Sequence, residues 1–311
     1  MPSPRAHRMV ARTATLTAAF MFLLIVVGSI VRTTGSGLSC PDWPLCHGQL
    51  IPPMQFNILM EWMHRLIALV VGMMLAGTAV LVAMHPETRA RYGGLAALSV
   101  ALYFSQALLG ALTVWKLLDP SVVSGHLAVG LLLFATFVTL ATLAHGEAEE
   151  RPANSGAVRP AGLLTLFALA TLLVWFQSVL GGMVSTNHAS LACPDWPTCN
   201  GEWFPRLQGL VGLQVLHRYG AYLLTIVLFT VALSAEKVGD PRVRFLGLLA
   251  GRLVLLQLGV GVINVLLGVP VWVSALHLGN AAAILAVMLV ATLRLAALPV
   301  ADAVSARAVA R

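Results

Sequence analysis

Eight stretches of this chain are each long and apolar enough to cross a lipid bilayer, and that count limits the fold more than any other feature. A spanning helix needs about 20 mainly apolar residues. Such runs lie near 13–33, 62–84, 94–117, 122–145, 161–185, 210–234, 243–268 and 271–296. Only 10% of the 311 residues are charged and 59% are hydrophobic, whereas soluble domains carry about 25% charged residues. A soluble fold this apolar would expose patches it could not cover. A β-barrel would alternate apolar and polar residues over shorter segments. The sequence therefore predicts an all-α integral membrane protein of eight transmembrane helices.

An even helix count puts both termini on one side. Fourteen of the nineteen lysines and arginines fall on that side, leaving Arg32, Arg65, Lys116, Arg206 and Arg218 on the other. Positive charge marks the cytoplasmic face, so both termini are expected in the cytoplasm, with the long loops 34–61 and 186–209 on the outer face. The net charge of +7 needs no nucleic acid to explain it. The first apolar run is long for a signal peptide and is read as a retained helix. All seven tryptophans lie toward the outer side, which predicts that the two long loops fold over the helix ends.

The chain also repeats itself. Residues 28–46 read GSIVRTTGSGLSCPDWPLC and residues 181–199 read GGMVSTNHASLACPDWPTC, an offset of 153 that also carries His64-Arg65 onto His217-Arg218. An offset of 151 carries Gln106, Gly110 and His126 onto Gln257, Gly261 and His277. Four spans per repeat enter the membrane in the same sense. That predicts two tandem four-helix bundles related by a pseudo-twofold axis along the membrane normal. The halves are 1–146 and 161–311, joined by a polar cytoplasmic linker at 147–160.

The four cysteines form two pairs, Cys40 with Cys46 and Cys193 with Cys199, each enclosing Pro-Asp-Trp-Pro plus one residue. An oxidising outer compartment makes disulfides the default. They read either as structural staples or as a pair that exchanges electrons with a partner. The spacing is too wide for the usual zinc motif.

Of nine histidines, four share one placement. His64, His126, His217 and His277 each stand shortly after the outer start of an even-numbered span. A lone intramembrane histidine often serves only as an interhelical hydrogen bond. Four at matched depth, two per repeat, point instead to ligands, because facing helices of a bundle can hold a cofactor between them and bis-histidine haem iron suits apolar surroundings. Gly125, Gly130, Gly220 and Gly279 are the small residues expected to admit a flat macrocycle. Arg65 and Arg218 are candidate contacts for haem propionates, or snorkel to headgroups. His47 and His188 read as loop residues.

The halves differ at one informative place. Glu61 lies three residues before His64, on the same helix face, where the second half has Gln214. An intramembrane carboxylate is functional by default and can move protons. The bland reading is a helix cap or a partner for a nearby arginine.

These marks together resemble the haem A synthases of respiratory bacteria and mitochondria, over about residues 13–296. They are Glu-x-x-His-Arg at 61–65, His-Arg at 217–218, and His126 and His277. The paired loop cysteines are similar to those of the cysteine-bearing bacterial branch. The resemblance implies that haem O is the substrate, held by His64 and His126, and that haem A is the product, with a methyl group oxidised to formyl. It implies a permanent haem b on His217 and His277, and Glu61 as the catalytic acid. Terminal oxidases would receive the product, and the haem O synthase is an implied partner. Small residues permit association of copies without counting them. Two other readings use the same residues: a quinol-linked dihaem electron-transfer cytochrome, and an outer-face thiol-disulfide redox protein. A transporter fits least, since the polar residues gather near one face rather than at mid-membrane.

Overall fold

A computed structural model of the chain describes residues 4–148 and 157–301. Among them are eight α-helices: α1 (Pro4–Thr33), α2 (Phe56–Met84), α3 (Pro86–Trp115), α4 (Pro120–Ala148), α5 (Leu163–Thr186), α6 (Gly209–Ala235), α7 (Pro241–Leu266) and α8 (Val271–Ala296). All eight are long and apolar enough to span a membrane. The chain is an all-α, multi-pass membrane protein.

Several helices begin before their apolar runs. α1 starts at Pro4 rather than near 13, and α3 at Pro86 rather than near 94. An apolar window marks only the hydrocarbon part of a span. Arginine and alanine are good helix formers, so the backbone stays helical beyond it. Prolines then set the boundaries. A residue before proline is pushed out of the helical region, and His85 is extended at φ −111°, ψ 125°. One residue therefore separates α2 from α3. Pro241 opens α7, where a missing N–H costs nothing, and the Asp240 side chain accepts from the N–H groups of Arg242 and Val243.

α1 packs on α2, α4 and α8, and α5 packs on α4, α6 and α8. The two halves thus meet through α1 with α8, α4 with α5, and α4 with α8. α4 and α8 are the most buried helices. The core between them includes Phe134 and Phe137 of α4 and Ile284 and Met288 of α8. Polar contacts also cross the junction. Ser124 and Thr186 share a hydrogen bond of 2.9 Å. The Arg32 guanidinium at the end of α1 donates to the Ser185 carbonyl at the end of α5.

Of the expected linker, residues 149–156 lie outside the described residues, as do Arg151, Arg307 and Arg311. Its last part is anchored rather than free. Arg159 N–H donates to the Pro299 carbonyl at 2.9 Å, the Arg159 carbonyl accepts from Ala301 N–H at 3.1 Å, and Arg159 Nε donates to the Leu298 carbonyl at 3.1 Å.

At the end of the bundle away from the cysteine loops, His7 Nδ1 and Tyr92 Oη are 2.8 Å apart, and both side chains are buried. Leaving one buried partner unmade costs about 1–3 kcal/mol. Tyr92→Phe is expected to lower stability by about that amount, read from thermal unfolding in detergent.

Candidate active site

The two cysteine loops are one structural module built twice. In each, the sulfurs lie at disulfide-bond distance: 1.99 Å for Cys40–Cys46 and 2.00 Å for Cys193–Cys199. The aspartate inside each pair closes the turn after the second cysteine. Asp42 accepts from the N–H groups of His47 at 2.6 Å and Gly48 at 2.8 Å. Asp195 accepts from those of Asn200 at 2.7 Å and Gly201 at 3.0 Å, and from the Thr198 hydroxyl at 2.5 Å. All four turn residues have positive φ. Asparagine and histidine enter that region more readily than most non-glycine residues, which accounts for His47 standing where the second loop has Asn200. The Gly48 N–H holds the Asp42 carboxyl below the usual range, and the Thr198 hydroxyl does the same for Asp195.

Arginines pin these loops to the helices beneath. Arg65 donates to the carbonyls of Asp42 at 2.7 Å, Leu45 at 2.5 Å and Cys40 at 3.0 Å. Arg218 donates to the matching carbonyls of Thr198 at 2.8 Å and Cys193 at 2.6 Å. Each arginine follows a histidine, so the clamp and the candidate ligand share one helical turn. Both arginines also line the cavity described next.

Beneath the loops lies one cavity of about 900 Å³ that both halves line. That is near the top of the roughly 300–1,000 Å³ range for small-molecule sites. His64, His126, His217, His277, Glu61 and Arg32 all reach it. Phe56 to His64 and Gly209 to His217 are eight residues each, and Pro120 to His126 and Val271 to His277 are six each. At 1.5 Å per residue these depths differ by only about 3 Å.

Each histidine ring rests against a glycine of the preceding helix. A β-carbon on Gly28 would lie 3.1 Å from the His64 ring, and one on Gly110 3.3 Å from His126. In the second half the values are 2.8 Å for Gly181 against His217 and 3.0 Å for Gly261 against His277. These four glycines seat the histidine rings and are distinct from Gly125, Gly130, Gly220 and Gly279, the small residues expected to admit a macrocycle. Gly125 faces open space, Gly130 and Gly220 face Gln106 and Gln177, and Gly279 packs on Val26 and Phe22 of α1. The signal was present, since Gly28 with Gly181 and Gly110 with Gly261 are repeat-related. What periodicity does not supply is which neighbouring helix a ring leans on.

The His217 and His277 rings face each other with centroids 6.4 Å apart and planes at 76°. Metal–imidazole bonds are about 2.0–2.1 Å, so two rings sharing one metal ion from opposite sides stand about 6 Å apart. In the first half, His64 Nδ1 and His126 Nδ1 are buried without a hydrogen-bond partner.

Glu61 is 5% exposed. Its Oε2 accepts from the Cys40 N–H at 2.8 Å, and its Oε1 from Arg65 at 2.6 Å. The carboxylate thus joins the disulfide loop, the clamp and the cavity wall. The pairing with Arg65 is the bland role expected of it, but the position on the cavity goes further. Gln214 is equally buried, and its Oε1 has no partner.

The loop carboxylates give a pH prediction. Their pKa is lower folded than unfolded, so the turn is stabilised above about 3.9, the ordinary aspartate value. That stabilisation is lost as pH falls further, through the folded pKa. Hydrogen exchange at the amides of His47, Gly48, Asn200 and Gly201 is expected to stay protected at pH 5. Asp42→Asn and Asp195→Asn are expected to remove that protection in their own loops.

A family model described as cytochrome oxidase assembly protein, COX15-CtaA, matches residues 11–289. The chain is similar to the heme A synthase of Halalkalibacterium halodurans, at 30% identity over 87% of this chain and 92% of that protein. It is also similar to that of Symbiobacterium thermophilum, at 31% over 71% and 74%, and to that of Shewanella oneidensis, at 28% over 87% and 92%. With that match running through all eight helices, the chain belongs to the COX15-CtaA family of cytochrome oxidase assembly proteins.

Proposed function

We propose that this protein is a haem A synthase, an oxidoreductase that converts a peripheral methyl group of haem O into the formyl group of haem A. The observation that carries the reading is a duplicated histidine pair on one cavity, with a carboxylate beside only one of the pairs. His64 and His126 are the ligands for the substrate haem in the first half, and His217 and His277 hold haem b in the second. The facing rings at 6.4 Å and the glycine beside each ring suit a flat macrocycle with an iron at its centre.

Haem b held by His217 and His277 would supply a one-electron relay beside the substrate. The protein's own residues do the rest. The glycines seat the imidazole rings, and the apolar walls accept the farnesyl tail, each buried CH₂ contributing about 0.8 kcal/mol. Glu61 stands three residues from His64 and takes up or returns a proton at its carboxylate oxygens as the methyl group is oxidised. Arg65 fixes Glu61 in place and keeps the disulfide loop closed over the cavity. Gln214 cannot accept a proton in this way, which supports the first half as the place of the chemistry. Arg65 and Arg218 remain the candidate propionate contacts from the cavity wall. Both cysteine pairs act as structural staples for the loops, and the first is tied to Glu61 through the Cys40 N–H.

The arginine and lysine distribution supports a bacterial plasma-membrane orientation with cytoplasmic termini and external cysteine loops. Haem O reaches the site from its synthase, and haem A passes to terminal oxidases. The high glycine and alanine content allows copies to associate.

Glu61→Gln is expected to leave haem binding intact and to lower conversion by about 10²–10⁴-fold, the usual range for losing a general acid–base. Mass spectra of haems extracted from cells supplied with haem O read the result. Parent levels of haem A from that variant would overturn the role of Glu61. Haem b alone from the parent protein would favour an electron-transfer cytochrome. His217→Ala and His277→Ala are each expected to abolish retention of haem b, measured by the absorption spectrum of the purified protein.

A further inference from the structure

The two histidine pairs are not held alike. One turn before each cradling glycine, α5 carries Gln177 and α7 carries Gln257. The Gln177 amide nitrogen lies 2.9 Å from His217 Nδ1 and donates to the His217 carbonyl at 2.7 Å. The Gln257 amide nitrogen donates to the His277 carbonyl at 3.0 Å and lies 3.3 Å from both ring nitrogens. Gln257 is itself fixed. Its Oε1 accepts from Asn280 Nδ2 at 2.8 Å, and Asn280 also donates to the Leu253 carbonyl at 3.0 Å. Every second-half ligand thus has an amide against its ring and backbone.

The repeat shows what the first half has instead. The offset of 153 places Leu24 where Gln177 stands, and the offset of 151 places Val129 where Asn280 stands. Leucine cannot bond to a ring nitrogen, and valine cannot orient a glutamine. The geometry follows. His64 Nδ1 has no partner, Gln106 is present but its Oε1 has none, and His126 Nδ1 has none. Two substitutions at repeat-related positions therefore go with the loss of side-chain amide tethers from both ligands of one half, the His126 ring keeping only a backbone interaction with Gln106.

We propose that Gln177, Gln257 and Asn280 are positioning residues that make the second-half histidine pair a permanent haem site, and that Leu24 and Val129 leave the first-half pair loose so that its haem can exchange. This rests on the haem-ligand reading above. Partners that orient a metal-bound histidine are worth roughly 10–100-fold in metal affinity. A synthase must release one haem and keep the other, and the same fold delivers both by changing two residues per half. The tethers also set ring orientation and basicity, which an iron senses directly.

The test uses the haem b-loaded protein purified in detergent, with an apo-globin as haem acceptor. Gln177→Leu and Asn280→Val transplant the first-half residues into the second half. Transfer of haem b to the globin is expected to quicken roughly 10–100-fold, with a shift in midpoint potential and in the low-spin resonance of the iron. Gln177→Glu keeps the side-chain length but removes the N–H donor to the His217 carbonyl, and is expected to quicken transfer as Gln177→Leu does. Conversely, Leu24→Gln with Val129→Asn is expected to slow release of the first-half haem, and this arm stands even where the second-half variants fail to fold. Transfer rates, potentials and spectra equal to the parent's in both halves would overturn the proposal. Full haem b retention by His217→Ala and His277→Ala would instead overturn the ligand reading beneath it. Loss there with parent behaviour in the glutamine and asparagine variants would sink only the tethers.

Discussion

Every peptide group inside a bilayer must find its hydrogen-bond partner within its own helix, because lipid offers none. That constraint orders the rest of this structure. The eight long helices satisfy it along their lengths, and the irregular backbone is confined to their ends. Polar chemistry then has only a few places to stand. Here it stands one or two turns below the cysteine loops, where a clamp of arginine to loop carbonyl closes the top and glycine opens the interior. The loops belong to the site because Arg65 reaches three loop carbonyls and Glu61 at once.

The helices were legible because length and apolarity are read residue by residue. Their ends were less so, since α1 and α3 continue into polar sequence that helix propensity, rather than hydropathy, controls. The four histidines were legible through the repeat, which converts four isolated residues into one pattern. The glycines that cradle the histidine rings are a different set from Gly125, Gly130, Gly220 and Gly279, which the sequence offers as openings for a macrocycle. Gly125 and Gly130 sit beside His126 in sequence, yet the ring leans on Gly110 from another helix. Sequence proximity along one helix says little about which neighbour lies across a packed interface. The loop clamp was least legible, because the reach of an arginine over 20 residues of loop depends on a turn whose shape Asp42 and Asp195 set.

Duplication makes the differences informative. The Asp-closed turn, the disulfide-distance pair, the arginine clamp and the glycine cradle occur in both halves with closely matching distances. Against that shared frame, Glu61 with Gln214, Leu24 with Gln177 and Val129 with Asn280 stand out as changes in what the frame does rather than in what holds it up. Each changes the polarity of a side chain on or next to the cavity while the helices that carry them keep corresponding packing partners.

One contact has a consequence for how such a chain could arise. Arg32 donates to the carbonyl of Ser185, and these are the same position in the two repeats. A bond between a position and its own counterpart lies where the two halves meet, and only one of the two can make it. Two identical chains associating in this way would bring two guanidinium groups to one point in an apolar setting, where like charges repel strongly. A covalently joined pair escapes that conflict, because one copy can keep arginine while the other becomes serine. Fusion of the halves therefore does more than hold them together: it lets this junction keep one guanidinium without a second beside it.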